Sequence, residues 1–189
     1  MEEKKLAVIF PGVGYTCAKP LLYYAAQAAR EAGYEVIRLN YGADIHNFPG
    51  RAPEELFPIV ELAESRMENQ LEKIGWDQYS DIVFISKSIG TTVAGYVEEV
   101  LELHARHFMM TPLPTALLSL DKMDGCFVVG TEDLMYTDPE ILGQAMKQYP
   151  DKIGAVFEGC DHSLERKGDM EGNIQNVRKV MELLKSKLR

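Results

Sequence analysis

A serine flanked two positions away on each side by a small residue stands at Ser86-Lys87-Ser88-Ile89-Gly90. The pentapeptide differs at one residue from the nucleophile-elbow pattern G-x-S-x-G, with Ser86 in place of the first glycine. The spacing has a mechanical reason. A sharp strand-to-helix turn lifts the central hydroxyl clear of the sheet and brings the positions two before and two after it together, so both must be small. The helix that follows aims its N-terminal amides and the positive end of its dipole at Ser88. An ordinary polar turn would fit the same five residues. Two downstream segments change the balance. Gly130-Thr131-Glu132-Asp133-Leu134 offers carboxylates, and Gly159-Cys160-Asp161-His162-Ser163-Leu164 offers a histidine. A serine needs a base to become a nucleophile, and the base needs a third group to orient it.

Positioning these residues requires elements that end beside one another. Short β-branched or aromatic runs alternate along the chain with longer segments of helical periodicity. The runs predict strands at Leu6–Phe10, Glu35–Tyr41, Asp81–Ser86, Arg106–Thr111, Gly125–Gly130 and Ile153–Glu158. Continuous rather than alternating apolar character predicts strands buried on both faces. Helices are expected over Cys17–Ala32, Glu54–Ile74, Ile89–His104, Pro114–Leu120, Pro139–Gln148 and Met170–Leu188, with a loop over Gly42–Pro53. Strands alternating with helices imply right-handed crossovers and a mostly parallel sheet of about six strands between two helical layers. Ligands bind beyond the carboxyl ends of such strands. Ser88, the carboxylates and His162 each follow a different strand and converge there.

Composition sets the outer bounds. The chain has 189 residues, 46% hydrophobic and 26% charged, which suits one globular domain over 1–189. Its 20 basic and 29 acidic side chains give a net charge of −9. That average field, with no Lys/Arg-rich block, argues against nucleic acid as a partner. No apolar run is long enough to suggest a membrane span, and Met1-Glu2-Glu3-Lys4-Lys5 does not open a signal peptide. Cys17, Cys126 and Cys160 are odd in number and unclustered. A cytoplasmic location fits that cysteine usage, and the spacing of His and Cys offers no metal site and calls for no cofactor.

With these pieces in place, the chain from about residue 6 to its last helix resembles a compact, lidless α/β-hydrolase, similar to the small dienelactone-hydrolase-like proteins. The matching pieces are Phe10-Pro11-Gly12-Val13-Gly14, Ser86-Lys87-Ser88-Ile89-Gly90, Gly130-Thr131-Glu132-Asp133 and Cys160-Asp161-His162-Ser163-Leu164. The first loop carries Pro11-Gly12 where the family usually has His-Gly. The resemblance implies a three-layer α/β/α fold without a cap domain and the strand order two, one, three, four, five, six. It implies Ser88 as nucleophile, His162 as general base and Asp133 as its orienting acid. It also implies an oxyanion hole from the backbone N–H groups of Ile89 and Val13, with Gly14 as an alternative to Val13. The implied reaction is hydrolysis of a small acyl ester, or a related lactone, thioester or amide, as the small-molecule partner. The alternative is the same fold serving as a non-catalytic binding or scaffold protein.

Other residues are weighed against plainer roles. Gly14, Tyr15, His46 and Met135 lie in loops at the functional edge and are candidate substrate contacts, with packing the competing role. Gly12-Val13-Gly14 lacks the third glycine of a dinucleotide fingerprint and the Gly-Lys-Ser/Thr of a P-loop. Lys87 reads as a solvated lysine. His104 is expected to cap a helix end. Asp138, directly before Pro139, is expected to N-cap the helix over Pro139–Gln148.

Overall fold

The structure, a computed structural model, describes residues 4–48, 53–133 and 138–189. Six strands form one parallel sheet: β1 (Lys4–Phe10), β2 (Glu35–Arg38), β3 (Tyr79–Ser88), β4 (Arg106–Pro112), β5 (Asp124–Gly130) and β6 (Ile153–Phe157). Their order across the sheet is β2-β1-β3-β4-β5-β6. The chain therefore reverses direction of growth beside β1, and the loops after β1 and β3 sit at the centre of the carboxyl edge. Among the described residues, α1 (Pro20–Glu31), α2 (Ala43–His46), α3 (Pro53–Leu71), α4 (Ile89–Val100), α5 (Pro114–Leu118) and α6 (Pro139–Gln148) lie between strands, and α7 (Met170–Lys187) follows β6. This is the α/β-hydrolase fold, and no cap domain interrupts it among the described residues.

The pleat of the central strands sorts the core. Ala7, Ile9, Val83, Ile85, Phe108 and Met110 point to one face, where Leu22, Ala25 and Ala29 of α1 and Val180 and Leu184 of α7 cover them. Leu6, Val8, Phe10 and Phe84 point to the other face, under Ala63 and Met67 of α3 and Val93, Ala94 and Val97 of α4. Met109, Phe127 and Val129 pack with α5 and α6 on that same side of the sheet. Each fully buried aliphatic or aromatic side chain contributes about 1.5–3 kcal/mol relative to exposure. Both faces are covered, as an all-parallel sheet requires.

Helix ends depart from the sequence-based expectation for local reasons. The segment expected as helix from Cys17 begins at Pro20, whose missing N–H costs nothing at a first helical position. α4 stops at Val100, not His104. Glu102 takes φ 50, and the Leu103 N–H donates to the carbonyl of Glu98, a left-handed C-terminal closure. His104 lies beyond that closure, exposed, and does not cap the helix. The loop expected over Gly42–Pro53 holds the short helix α2, and the third helix starts at Pro53. Asp138 does cap α6: its carboxylate accepts from the N–H groups of Glu140 at 2.8 Å and Ile141 at 3.3 Å.

Candidate active site

Ser88 ends β3 and immediately precedes α4. Its backbone is at φ 57, ψ −126, a conformation that costs a non-glycine residue about 1–3 kcal/mol. That strain is what turns the chain sharply enough to set a side chain on the crest between strand and helix. Two close approaches hold the crest. A Cβ built on Gly90 would lie 2.4 Å from the Phe10 carbonyl oxygen and 2.5 Å from that of Pro11. The loop after β1 thus passes directly against the first turn of α4, with room for hydrogen alone. At Gly12 a Cβ would meet the Ser88 Cβ at 3.0 Å. Thr91 closes the turn from inside, its hydroxyl donating to the Ser88 carbonyl at 2.7 Å. Gly90→Ala should therefore cost several kcal/mol of stability, because both obstructing atoms are backbone. A urea midpoint equal to wild type would contradict the close approach.

His162 follows β6 in a loop shaped by its neighbours. The Asp161 carboxylate accepts from Ser163 N–H at 2.8 Å and Glu165 N–H at 3.1 Å. From α7 the buried Asn176 amide donates to the Leu164 carbonyl at 3.0 Å. The loop after β5 is tied to it: Glu132 N–H donates to the Cys160 carbonyl at 2.9 Å, and Gly159 N–H donates to the Thr131 hydroxyl at 2.8 Å. These ties fix Asp133 and His162 relative to each other.

Three side chains from three loops meet. His162 Nε2 lies 2.8 Å from Ser88 Oγ, and His162 Nδ1 lies 2.7 Å from Asp133 Oδ2. A carboxylate only accepts, so Nδ1 carries the proton and Nε2 is left to accept from the serine hydroxyl. Ser88 is 5% and Asp133 3% exposed, while the His162 side chain is 20% exposed and forms the open side. Burial pushes the imidazole down to about 4, and the charge on Lys87 adds to this against the opposing pull of Asp133. The ring is thus neutral, and able to accept a proton, across the neutral pH range.

The loop after β1 separates the backbone donors considered from sequence. Gly14 N–H donates to the His46 carbonyl at 3.0 Å, and Gly12 N–H donates to the Tyr15 carbonyl at 3.0 Å. Both are committed to holding the loop, with Val13 between them. Ile89 is the first residue of α4, where an N–H has no acceptor within its own helix. His46 braces this loop from the side. Its Nδ1 donates to the Gly12 carbonyl at 3.3 Å, its ring stacks on Tyr41, and burial holds its imidazole below the usual range. Tyr15 accepts from Leu21 N–H at 3.1 Å and supports the loop from below. The candidate contact Met135 lies outside the described residues.

Lys87 differs most from its sequence-based reading. It is fully buried rather than solvated. Thr111 and Asn176, also unforeseen as parts of this region, are polar groups that only the assembled fold brings to the His162 loop, Thr111 through Lys87 and Asn176 through the Leu164 carbonyl. Among the described residues no group of three or more His, Cys, Asp or Glu side chains is placed to hold a metal ion, and no helix is long and apolar enough to cross a membrane.

No family model matches the sequence, and no curated protein matches it. Solved structures do match across nearly the whole chain. A dienelactone hydrolase of Anabaena variabilis is 14% identical, with a TM-score of 0.65 over 98% of this chain and 85% of that one. A Xanthomonas campestris protein ascribed to the α/β hydrolase superfamily is 15% identical, with a TM-score of 0.61 over 97% of this chain and 99% of that one. An esterase of Pyrococcus furiosus is 12% identical, with a TM-score of 0.58 over 97% and 83%. At these identities the likeness is one of fold.

Proposed function

We propose that the protein is a serine hydrolase that cleaves a small acyl ester, or a related lactone, thioester or amide, through an acyl-enzyme. The observation that carries this is the continuous chain from Ser88 Oγ to His162 Nε2 at 2.8 Å and from His162 Nδ1 to Asp133 Oδ2 at 2.7 Å. His162 takes the Ser88 proton as Oγ attacks the acyl carbon. Asp133 keeps the ring in the productive tautomer and offsets the charge that forms on it. The N–H groups of Ile89, next to Ser88 in the chain, and of Val13, next to the Gly12 that lies against the Ser88 Cβ, would receive the oxyanion of the tetrahedral intermediate. His162 then returns the proton to the leaving group, and water repeats the sequence to release the acid.

The small size of the acyl group has its own support. A crevice of about 160 Å³ runs beside the first turns of α4, lined by Leu56, Phe57, Val60, Thr92, Leu113 and Pro114. Leu113 directly follows Pro112, the β4 partner of Ser88. The lining of the crevice reaches Thr92, one helical turn after Ser88 in the chain, and we place a short acyl chain there. A series of p-nitrophenyl acyl esters of increasing length tests both points. Hydrolysis should favour the shortest members, and absence of turnover across the series would overturn the assignment.

The buried imidazole also alters the pH dependence that an ordinary histidine would give. Sequence alone suggests a rise in kcat/KM across roughly pH 6 to 7.5, following an unperturbed pKa of about 6.5. With the His162 ring held down to about 4, its base form is already complete at pH 6. The contribution of His162 should be flat from pH 6 to 7.5 and fall only as the pH drops towards 4 and protonation removes the Nε2 lone pair. A steep rise between pH 6 and 7.5 would show an unperturbed base.

A further inference from the structure

Lysine is an unexpected residue to find wholly inside a sheet. Lys87 occupies the β3 position after Ile85 on the face covered by α1 and α7, where the strand's other inward residues are Val83 and Ile85. Its ammonium reaches the carboxyl edge from beneath. There Nζ donates to the Thr111 hydroxyl at 2.6 Å and to the backbone carbonyl of His162 at 2.6 Å. The ring of Tyr15 covers it, with Nζ 4.8 Å from the ring centroid. An ammonium has three donors and tolerates burial only when they are used.

Thr111 is built for this contact at a cost. Lys87 pairs with Met110 and Ser88 with Pro112, so Thr111 is the extra residue of a bulge in β4. It stands at φ 44, a left-handed conformation that a β-branched residue rarely adopts. The bulge turns the hydroxyl towards Nζ. Without it, the strand would continue in register and the ammonium would lose that partner.

We infer that Lys87 is a positioning residue: its ammonium, anchored on the hydroxyl of the strained Thr111, grips the backbone carbonyl of His162 and so fixes the imidazole between Ser88 and Asp133. The inference rests on the serine-hydrolase reading of the site. Lys87 itself is sealed from substrate, so it acts through His162 alone. The strap ties the histidine loop, which follows β6, to β3 and β4, two strands that β6 does not pair with in the sheet. The charged and titratable groups facing Nζ are Asp133 from the loop after β5, Asp161, His162 and Glu165 from the loop after β6, and Tyr15 from the loop after β1. The three carboxylates favour the ammonium, and burial opposes it, pushing Lys87 down to about 7. The same positive charge depresses His162.

The strap therefore has two separable consequences, and they oppose each other. Removing the ammonium should make His162 more basic, which by itself would speed proton abstraction. Loss of positioning should slow it. Lys87→Met keeps the length of the side chain without the charge. Thr111→Val keeps the shape of Thr111 without the hydroxyl. Two measurements on folded protein, checked by urea unfolding, decide the matter. One is the NMR titration of the four histidine rings, with His162 assigned by substitution. The other is the second-order rate of labelling by a fluorophosphonate. In Lys87→Met the His162 pKa should rise, yet labelling should slow by about 10- to 100-fold, the scale expected when a reacting group is misplaced by about 1 Å. Thr111→Val should slow labelling in the same direction. If both variants are folded and label as fast as wild type, with the His162 titration unmoved, the strap has no such role. Faster labelling of Lys87→Met would equally overturn it, since basicity alone would then govern the ring. Failure of the wild-type protein to label would instead defeat the hydrolase reading, and the His162 titration would still test whether Lys87 acts on the ring.

Discussion

Ser88→Ala should abolish ester hydrolysis, lowering kcat by roughly five to six orders of magnitude, while leaving the urea midpoint close to wild type. Removing the nucleophile of a triad disables its other members as well, so the loss is as large as removing the whole set. The fold loses little, because the Ser88 side chain's contact is with His162 and the strained backbone is unchanged. The neighbouring serine supplies the control. Ser86 is fully buried in β3, and its hydroxyl has no hydrogen-bond partner among the described residues. Ser86→Ala removes an unsatisfied polar group and should be neutral to slightly stabilising, with turnover retained. Comparable turnover in wild type and Ser88→Ala would remove the serine from the reaction.

Asp133→Asn should lower kcat/KM by about 10⁴-fold with little change in stability, because an amide in place of the carboxylate no longer enforces the tautomer with its proton on Nδ1. The nearby acids provide the contrast. Glu132 is exposed, and it is the Asp133 carboxylate that meets His162 Nδ1 at 2.7 Å. Asp138 accepts from two amides at the start of α6, so Asp138→Ala should cost about 1 kcal/mol and leave turnover largely intact. Kinetics and urea midpoints for both variants separate the roles. An inactive Asp138→Ala beside a fully active Asp133→Asn would reassign the acid.

Much of the architecture was legible from the chain because the signals are local. Continuous, short apolar runs such as Leu6–Phe10 read as buried strands, and their alternation with helical segments leaves few topologies. The observed order β2-β1-β3-β4-β5-β6 matches the one implied by the family resemblance. The placement of Asp138 followed from Pro139 beside it, again a local signal. What escaped was decided by distant partners. Nothing in Ser86-Lys87-Ser88 says that the lysine turns inward. That depends on a bulge at Thr111 and on the carbonyl of His162, supplied by other strands. The end of α4 escaped for a different reason: Glu102 adopts a left-handed conformation that its residue type does not advertise. The role of His46 was likewise decided by a distant partner, since Gly12 precedes it by 34 residues, with α1 and β2 between them.

Ser88 is the hydroxyl on which the proposed reaction depends, and the most direct measurement is the site of a fluorophosphonate adduct. Intact-mass analysis of the folded protein should show a single addition, and peptide mapping should place it on Ser88, with no addition to Ser88→Ala. An adduct on any other residue, or none on folded wild-type protein, would contradict the account.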